Sequence, residues 1–260
     1  MTKEEILQQT DAFLLDLDGT VYLDETPIGG AVKTLQTLRK MGKKLVFLTN
    51  NSSKTEEEYR KKLARIGLLG EGDIVYTSGM ATIAYLKENY PNKTVHLLGT
   101  RALKAEFACA GVHLSEESPD VCVLAYDVEL TFEKIRKFDA FLKRGAVFLA
   151  THPDDVCPSQ DLSMPDVGSF MAMFERSSGR MPDRIIGKPF TDMGEGVAKA
   201  TGIKKDRLCM IGDRMHTDIR FANKNGMMSI LVLSGETTKE TMKNFPDKPD
   251  LVLDSINELV

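Results

Sequence analysis

Residues 12–20 read Ala-Phe-Leu-Leu-Asp-Leu-Asp-Gly-Thr, a short apolar run that gives way to two carboxylates and a turn glycine. This pattern predicts a buried strand that ends in a polar loop. In an open parallel sheet, ligands bind beyond the carboxyl ends of the strands. Side chains alternate along extended backbone, so Asp16 and Asp18 are expected on the same side. These two acids are therefore the first candidate functional residues.

Similar apolar runs recur along the chain, at residues 12–15, 45–48, 74–76, 95–98, 121–124, 146–149, 208–211, 229–233 and 251–253. Segments of helical spacing lie between them; Val32, Leu35, Leu38 and Met41, for example, recur at intervals of three. Strands that alternate with helices indicate an α/β fold with parallel sheets and helices on both faces. Nine strands are more than we expect in a single sheet of a chain of this length, so the sequence predicts two α/β units.

The composition excludes several classes of protein. The chain has 260 residues, 42% of them apolar, with 34 Lys plus Arg against 38 Asp plus Glu, a net charge of −4. A globular core is expected, and no nucleic-acid partner, because the cationic excess that phosphate backbones require is missing. No apolar run approaches the roughly 20 residues that span a bilayer, and the acidic N-terminus lacks a signal-peptide core. Four cysteines without paired spacing favour reduced thiols. We therefore expect a cytoplasmic protein that does not associate with membranes.

Three further strand ends also carry polar residues. Residues 49–52, Thr-Asn-Asn-Ser, follow the second apolar run, Lys188 follows a short run at 185–186, and Asp213 with Asp218 follows the run at 208–211. Each is compatible with an ordinary turn or helix start, and Lys188 lacks the glycine spacing of a P-loop. Together they offer carboxylates that suit Mg²⁺, and a cation and hydroxyls that suit phosphate. An aspartate among them can attack phosphorus.

In this order, the residues resemble the four motifs of haloacid dehalogenase superfamily phosphatases. The stretches at 20–22, 48–52, 151–154, 165–169 and 187–189 are similar to the NagD-like, para-nitrophenyl phosphatase-like branch. The resemblance implies a Rossmann-like parallel-sheet core with an inserted α/β cap of type II. The interval from Thr49 to Lys188, 188 − 49 = 139 residues, would hold the cap. The expected domains are a core of residues 1–79 and 184–260 and a cap of residues 80–183.

The resemblance also implies roles for individual residues. Asp16 would be the nucleophile and a Mg²⁺ ligand, and Asp18 the general acid and base, with its backbone carbonyl on the metal. Asp213 would complete the metal ligands, and Asp218 would support the metal or Lys188. The expected phosphate- or substrate-binding residues are Thr49, Asn50, Asn51, Lys188, His152, Asp154 and Asp166, the last three in a cap loop that would set substrate choice.

The expected activity is Mg²⁺-dependent hydrolysis of a small phosphorylated metabolite through an aspartyl phosphate. Asp18 argues against a dehalogenase, which lacks a carboxylate two positions after its nucleophile. A phosphotransferase or phosphomutase on the same site stays open, as does a receiver-like module phosphorylated on aspartate, although receivers are about half this length. The resemblance does not name the substrate. It allows a homodimer formed through the cap.

Overall fold

A computed structural model of the chain describes residues 1–157 and 162–260. The strands of the described residues are β1 (Ala12–Leu15), β2 (Tyr22–Leu23), β3 (Thr26–Pro27), β4 (Lys44–Thr49), β5 (Ile74–Thr77), β6 (Thr94–Leu98), β7 (His113–Leu114), β8 (Val121–Leu124), β9 (Val147–Ala150), β10 (Val156–Cys157), β11 (Met164–Pro165), β12 (Arg184–Ile185), β13 (Leu208–Gly212), β14 (Met228–Val232) and β15 (Leu251–Leu253).

The α-helices are α1 (Lys3–Gln9), α2 (Ala31–Lys40), α3 (Glu56–Arg65), α4 (Ser78–Asn89), α5 (Arg101–Cys109), α6 (Phe132–Lys143), α7 (Val167–Ser178), α8 (Thr191–Thr201) and α9 (Arg220–Asn225). A π-helical turn spans Met215–Ile219, and 3₁₀ turns span Lys205–Arg207, Thr241–Asn244 and Ile256–Glu258. No helix in the described part of the chain has the length and apolar character needed to cross a membrane.

The first compact unit comprises Met1–Thr49, Glu57–Tyr76 and Lys188–Val260. Its sheet has six strands in the order β15-β14-β13-β1-β4-β5. β1 lies between β13 and β4 and runs parallel to both, with Leu15 opposite Ile211 on one side and Phe47 on the other. All four residues of β1 are buried. A strand covered on both faces explains the continuous apolar run at residues 12–15.

The second unit comprises Asn50–Glu56 and Thr77–Gly187. Its five strands take the order β12-β9-β8-β6-β7, and every neighbouring pair is parallel. Its core includes three phenylalanines, in which the ring of Phe138 lies 5.5 Å from that of Phe148 and 4.8 Å from that of Phe174. Two parallel sheets in one chain confirm the predicted α/β fold.

The unit boundaries differ from the predicted ones at residues 50–56, 77–79 and 184–187, all of which belong to the second unit. Hydrogen bonds explain the largest difference. The Ser52 hydroxyl bonds to that of Thr151 at 3.0 Å and accepts the backbone N–H of Tyr126 at 2.9 Å. The Thr100 hydroxyl donates to the carbonyl of Ser53 at 3.0 Å. The loop after β4 is thus bonded to strand ends of the second sheet.

All nine predicted strands are present within a residue or two of their expected positions. Five strands of two residues each, β2, β3, β7, β10 and β11, were not predicted, because such short segments carry no periodic signal, whereas the predicted short run at 185–186 overlaps β12. The helical spacing also predicted a longer α2 than the structure has. Leu35 and Leu38 are buried as expected, but the helix ends at Lys40 and Met41 is exposed.

Candidate active site

Asp16 is the first residue after β1, and its backbone N–H donates to the carbonyl of Ile211 in the neighbouring strand at 2.9 Å. The chain then turns at Gly19, where φ is +83° and the N–H donates to the carbonyl of Tyr22 at 2.9 Å. Glycine adopts this left-handed conformation without steric cost. A Cβ at Gly19 would also lie only 2.6 Å from the Oδ2 atom of Asp213. Gly19 therefore lets the Asp16 loop approach Asp213.

Lys188 is buried between two carboxylates. Its Nζ donates to Oδ1 of Asp16 at 2.6 Å and to Oδ1 of Asp218 at 2.7 Å, and the side chain is only 1% exposed. Burial alone would lower the pKa of Lys188, but the charges of Asp16 and Asp218 outweigh it and raise this pKa above its usual range. The two carboxylates therefore favour the charged form of Lys188, which lies beside Asp16, the residue that follows β1.

Three carboxylates form one cluster: Asp16, Asp213 and Asp218 each offer an oxygen, and these oxygens lie within 4.8 Å of one another. Burial raises the pKa of Asp213 to about 7, and repulsion from Asp16 and Asp218 adds to this effect. Burial also raises the pKa of Asp16 to about 6, although Lys188 opposes the change. Like charges held this close are relieved by a cation or a shared proton.

The donor set fits a divalent metal ion. Asp16, Asp213 and Asp218 place three carboxylates against the single ammonium group of Lys188, so the cluster carries excess negative charge. Carboxylate oxygens are the ligands that Mg²⁺ prefers, and Mg²⁺ is commonly bound by one or two carboxylates together with water and substrate phosphate. Asp218 also accepts the backbone N–H of Arg214 on Oδ2 at 3.1 Å, within the π-helical turn. π-helical turns are frequent at functional sites.

Asp18 and Thr49 belong to the same unit. Asp18 is solvent-exposed and is not part of the three-carboxylate cluster of the described residues. Partial desolvation by the surrounding protein nonetheless raises the pKa of Asp18 to about 6, although the positive charge of Lys62 acts in the opposite direction. The Nζ of Lys62 lies 3.8 Å from the centre of the Tyr22 ring. Thr49 is the buried last residue of β4.

The remaining predicted residues belong to the second unit. The amide nitrogen of Asn50 donates to both carboxylate oxygens of Asp154, at 3.1 and 3.3 Å. The side-chain oxygen of Asn51 accepts the backbone N–H of Ser53 at 2.9 Å. Asn50 and Asp154 therefore form one polar pair, made by residues that are 104 positions apart.

His152 and Asp166 form a second polar pair in this unit. His152 Nε2 lies 3.0 Å from Oδ1 of Asp166, and both residues are buried. Asp166 Oδ1 also accepts the N–H of Val167 at the start of α7, and His152 Nδ1 lies 3.0 Å from the Thr151 hydroxyl. The buried pair of His152 and Asp166 thus connects the segment after β9 to the start of α7 by hydrogen bonds. Substrate contact by His152 and Asp166 stays a prediction.

Two family models and a relative match this chain, and both models describe haloacid dehalogenase-like hydrolases. The sequence model described as haloacid dehalogenase-like hydrolase matches residues 13–113, and a second model, described as HAD-hydrolase-like, matches residues 185–259. The chain is 33% identical over 248 residues to the sugar-phosphatase AraL of Bacillus subtilis, which covers 95% of this chain and 90% of that protein.

Solved structures are similar over nearly the whole chain. A 4-nitrophenylphosphatase from Thermotoga maritima has a TM-score of 0.94 and 40% identity, covering 98% of this chain and 97% of that one. A glycerol phosphate phosphatase from Mycobacterium tuberculosis, solved in complex with magnesium, has a TM-score of 0.90 and 28% identity, covering 98% of this chain and 78% of that one.

Proposed function

Because this chain belongs to the haloacid dehalogenase-like hydrolases, in the NagD-like and para-nitrophenyl phosphatase-like branch that the sequence predicts, we propose that it hydrolyses small phosphomonoesters with Mg²⁺ through an aspartyl phosphate on Asp16. The protein is a phosphoric monoester hydrolase. The observation that carries the proposal is the contact of buried Lys188 with Asp16, beside the carboxylates of Asp213 and Asp218.

Asp16 is the proposed nucleophile. Its carboxylate oxygen forms a bond to phosphorus while the bond from phosphorus to the leaving oxygen breaks. Lys188 holds Asp16 in one orientation and supplies a positive charge beside the phosphoryl oxygens, which gain charge in the transition state. Thr49 and the backbone N–H of Asn50 are the proposed donors to the remaining phosphoryl oxygens.

Asp18 is the proposed general acid and base. A pKa of about 6 leaves about a tenth of Asp18 protonated at pH 7, and this protonated form is the proposed proton donor to the departing alkoxide. After the alcohol leaves, the ionised Asp18 takes a proton from water, whose oxygen attacks phosphorus. The bond between phosphorus and Asp16 then breaks, which releases inorganic phosphate, restores the Asp16 carboxylate and leaves Asp18 protonated, as at the start of the cycle.

Asp16, Asp213 and Asp218 are the proposed neighbours of Mg²⁺, with a backbone contribution from Asp18 as the family pattern implies. When bound, the ion would supply positive charge that screens the phosphate from the carboxylates and stabilises the transition state. Asp218 also holds Lys188 at 2.7 Å, so we propose that its main task is to orient this lysine.

We propose that the substrate is a small polyol or sugar phosphate, since the similar proteins include a sugar phosphatase and a glycerol phosphate phosphatase. Lys188 and the carboxylates can recognise only the phosphoryl group that all such esters share. Discrimination between leaving groups needs other residues, and we propose the loop that contains Asp154 and its partner Asn50.

A panel of phosphorylated metabolites tests the function. Phosphate release is measured with Mg²⁺ and with a chelator, and kcat/KM is compared across sugar phosphates, glycerol phosphates, nucleotides and para-nitrophenyl phosphate. We expect metal-dependent release from several esters, with a preference for polyol or sugar phosphates. Adding a large excess of an alcohol acceptor distinguishes hydrolysis from phosphotransfer. Retained phosphate on the protein without turnover would instead indicate a receiver-like module.

A further inference from the structure

Asp213 is contacted by a loop that the sequence analysis did not single out, residues 234–237, which follows β14. The backbone N–H of Glu236 donates to Oδ2 of Asp213 at 2.7 Å, and the N–H of Thr237 donates to the carbonyl of Asp213 at 3.2 Å. The Ser234 hydroxyl donates to the carbonyl of Gly19 at 2.7 Å. The loop is therefore bonded both to Asp213 and to the turn that follows Asp16.

Gly235 makes this approach possible. A Cβ at this position would lie 2.0 Å from Oδ2 and 2.5 Å from Cγ of Asp213, far inside van der Waals contact. A Cβ at Gly19, on the opposite loop, would lie 3.1 Å from the Cα of Gly235. Any side chain at residue 235 must displace either the loop or the Asp213 carboxylate.

The Glu236 side chain ties the loop to the segment that carries Asp218. Its Oε2 atom lies 2.9 Å from Nε of Arg214, whose side chain is only 15% exposed. The backbone N–H of the same arginine donates to Oδ2 of Asp218 at 3.1 Å. Glu236 thus contacts Asp213 through its backbone N–H and Arg214 through its side-chain carboxylate.

We propose that the 234–237 loop positions the metal ligand Asp213, with Gly235 and Glu236 as the positioning residues. Carboxylates that bind a metal are oriented by hydrogen bonds from a second layer of residues, and loss of such a partner typically costs about 10–100-fold in metal affinity. The inference rests on the proposed function, because it presupposes a divalent ion at the carboxylate cluster.

The test measures Mg²⁺ binding to the full chain by titration calorimetry without substrate. Gly235→Ala is expected to raise the Kd by about 10–100-fold, and Glu236→Gln by the lower end of that range, about tenfold. Raising the Mg²⁺ concentration should restore kcat of Glu236→Gln. Gly29→Ala is the matched control for the added methyl, since a Cβ there meets nothing within 4 Å. Glu240→Gln, at an exposed position, is the control for the lost charge.

The outcomes separate this inference from the proposed function. If the wild-type chain binds no divalent ion, both are overturned. If it binds Mg²⁺ and the variants bind with unchanged Kd, only the role of the loop is overturned. If Gly235→Ala does not fold, Glu236→Gln and Ser234→Ala decide the matter. A loss of thermal stability without a change in Kd counts against the inference, because a merely structural loop would behave in this way.

Discussion

The Nζ of Lys188 lies 2.6 Å from Oδ1 of Asp16, although 172 positions separate the two residues along the chain. This contact joins the first strand of the chain to the point where the chain re-enters the first unit after the insertion. It places the ammonium group of Lys188 against the carboxylate that the family pattern marks as the nucleophile. Without the charge of Lys188, the carboxylates of Asp16 and Asp218 would lose their cation, whereas without the charge of Asp16 the lysine keeps its bond to Asp218.

Lys188→Met should destabilise the protein by about 3–5 kcal/mol, because it leaves buried carboxylates without their cation. It should also lower kcat/KM for every substrate by a similar factor, since the proposed role of Lys188 is to bind the phosphoryl group that all the substrates share. Urea unfolding in chelator measures the first effect, and the metabolite panel measures the second. In the double variant with Asp218→Asn, part of the lost stability should return; a further, additive loss would contradict the pairing.

Asp16→Asn should abolish turnover, because an amide is a poor nucleophile and a poor ligand for a hard cation. The fold should be retained, as judged by circular dichroism. Asp11→Asn, at an exposed ion pair with Arg207, is the control for an Asp-to-Asn change that should leave activity near wild type. Turnover by Asp16→Asn at the wild-type rate, in protein shown by mass spectrometry to be free of deamidation, would refute the mechanism.

Asp18→Asn should retain Mg²⁺ binding but lose about 10²–10⁴-fold in kcat, the usual worth of a general acid and base. The loss should be smaller for aryl phosphates, whose leaving groups need less protonation. Parallel measurements with para-nitrophenyl phosphate and glycerol phosphate compare the two classes, and calorimetry follows the metal. Equal losses for both esters would show that Asp18 does not protonate the leaving group.

The contribution of Asp213 to the free energy of unfolding of the metal-free protein should fall as the pH rises from about 4 to 7. The folded-state pKa of this carboxyl is raised from 3.8 to about 7, so between these values the folded state binds more protons than the unfolded state. By linkage, stability falls with rising pH in that window. Mg²⁺ should therefore raise the Tm more at pH 7.5 than at pH 5.

The control for this pH dependence is Asp213→Asn, which removes the titrating group. The difference in Tm between wild type and this variant, measured in chelator across the pH range, isolates the contribution of Asp213 from that of other carboxylates. A difference that does not change between pH 4 and 7 would mean that the carboxyl of Asp213 titrates normally in the folded protein.

Asp154→Asn should change the ranking of kcat/KM values across substrates, because it weakens the pairing of Asp154 with Asn50 in the proposed specificity loop. An equal loss of kcat/KM for all substrates, like that expected for Lys188→Met, would show that this loop does not determine substrate preference. His152→Ala should act differently, through stability, since it opens a buried site and deprives Asp166 of its partner. Comparing Tm with the substrate ranking separates the two effects.

The sequence by itself determined the nine main strands, the candidate residues that follow three of them, and the lysine that follows the short run at 185–186. Strands buried on both faces require continuous apolar runs, which can be read without coordinates, as the run at residues 12–15 illustrates. Parallel sheets collect functional groups at their carboxyl ends, so Asp16 and Asp213 stood out by position alone. Such local patterns are complete within a few residues.

Only the tertiary structure decided which of these groups touch. The contact of Lys188 with Asp218, the burial of His152 against Asp166 and the bonding of Glu236 to Asp213 join residues from separate elements. Nothing in a local pattern specifies them, because each depends on how distant segments pack and on the space left between them. Gly235 illustrates the difference. In the sequence it is an ordinary loop glycine, and only the packed chain shows that its missing Cβ is the space that the Asp213 carboxylate fills.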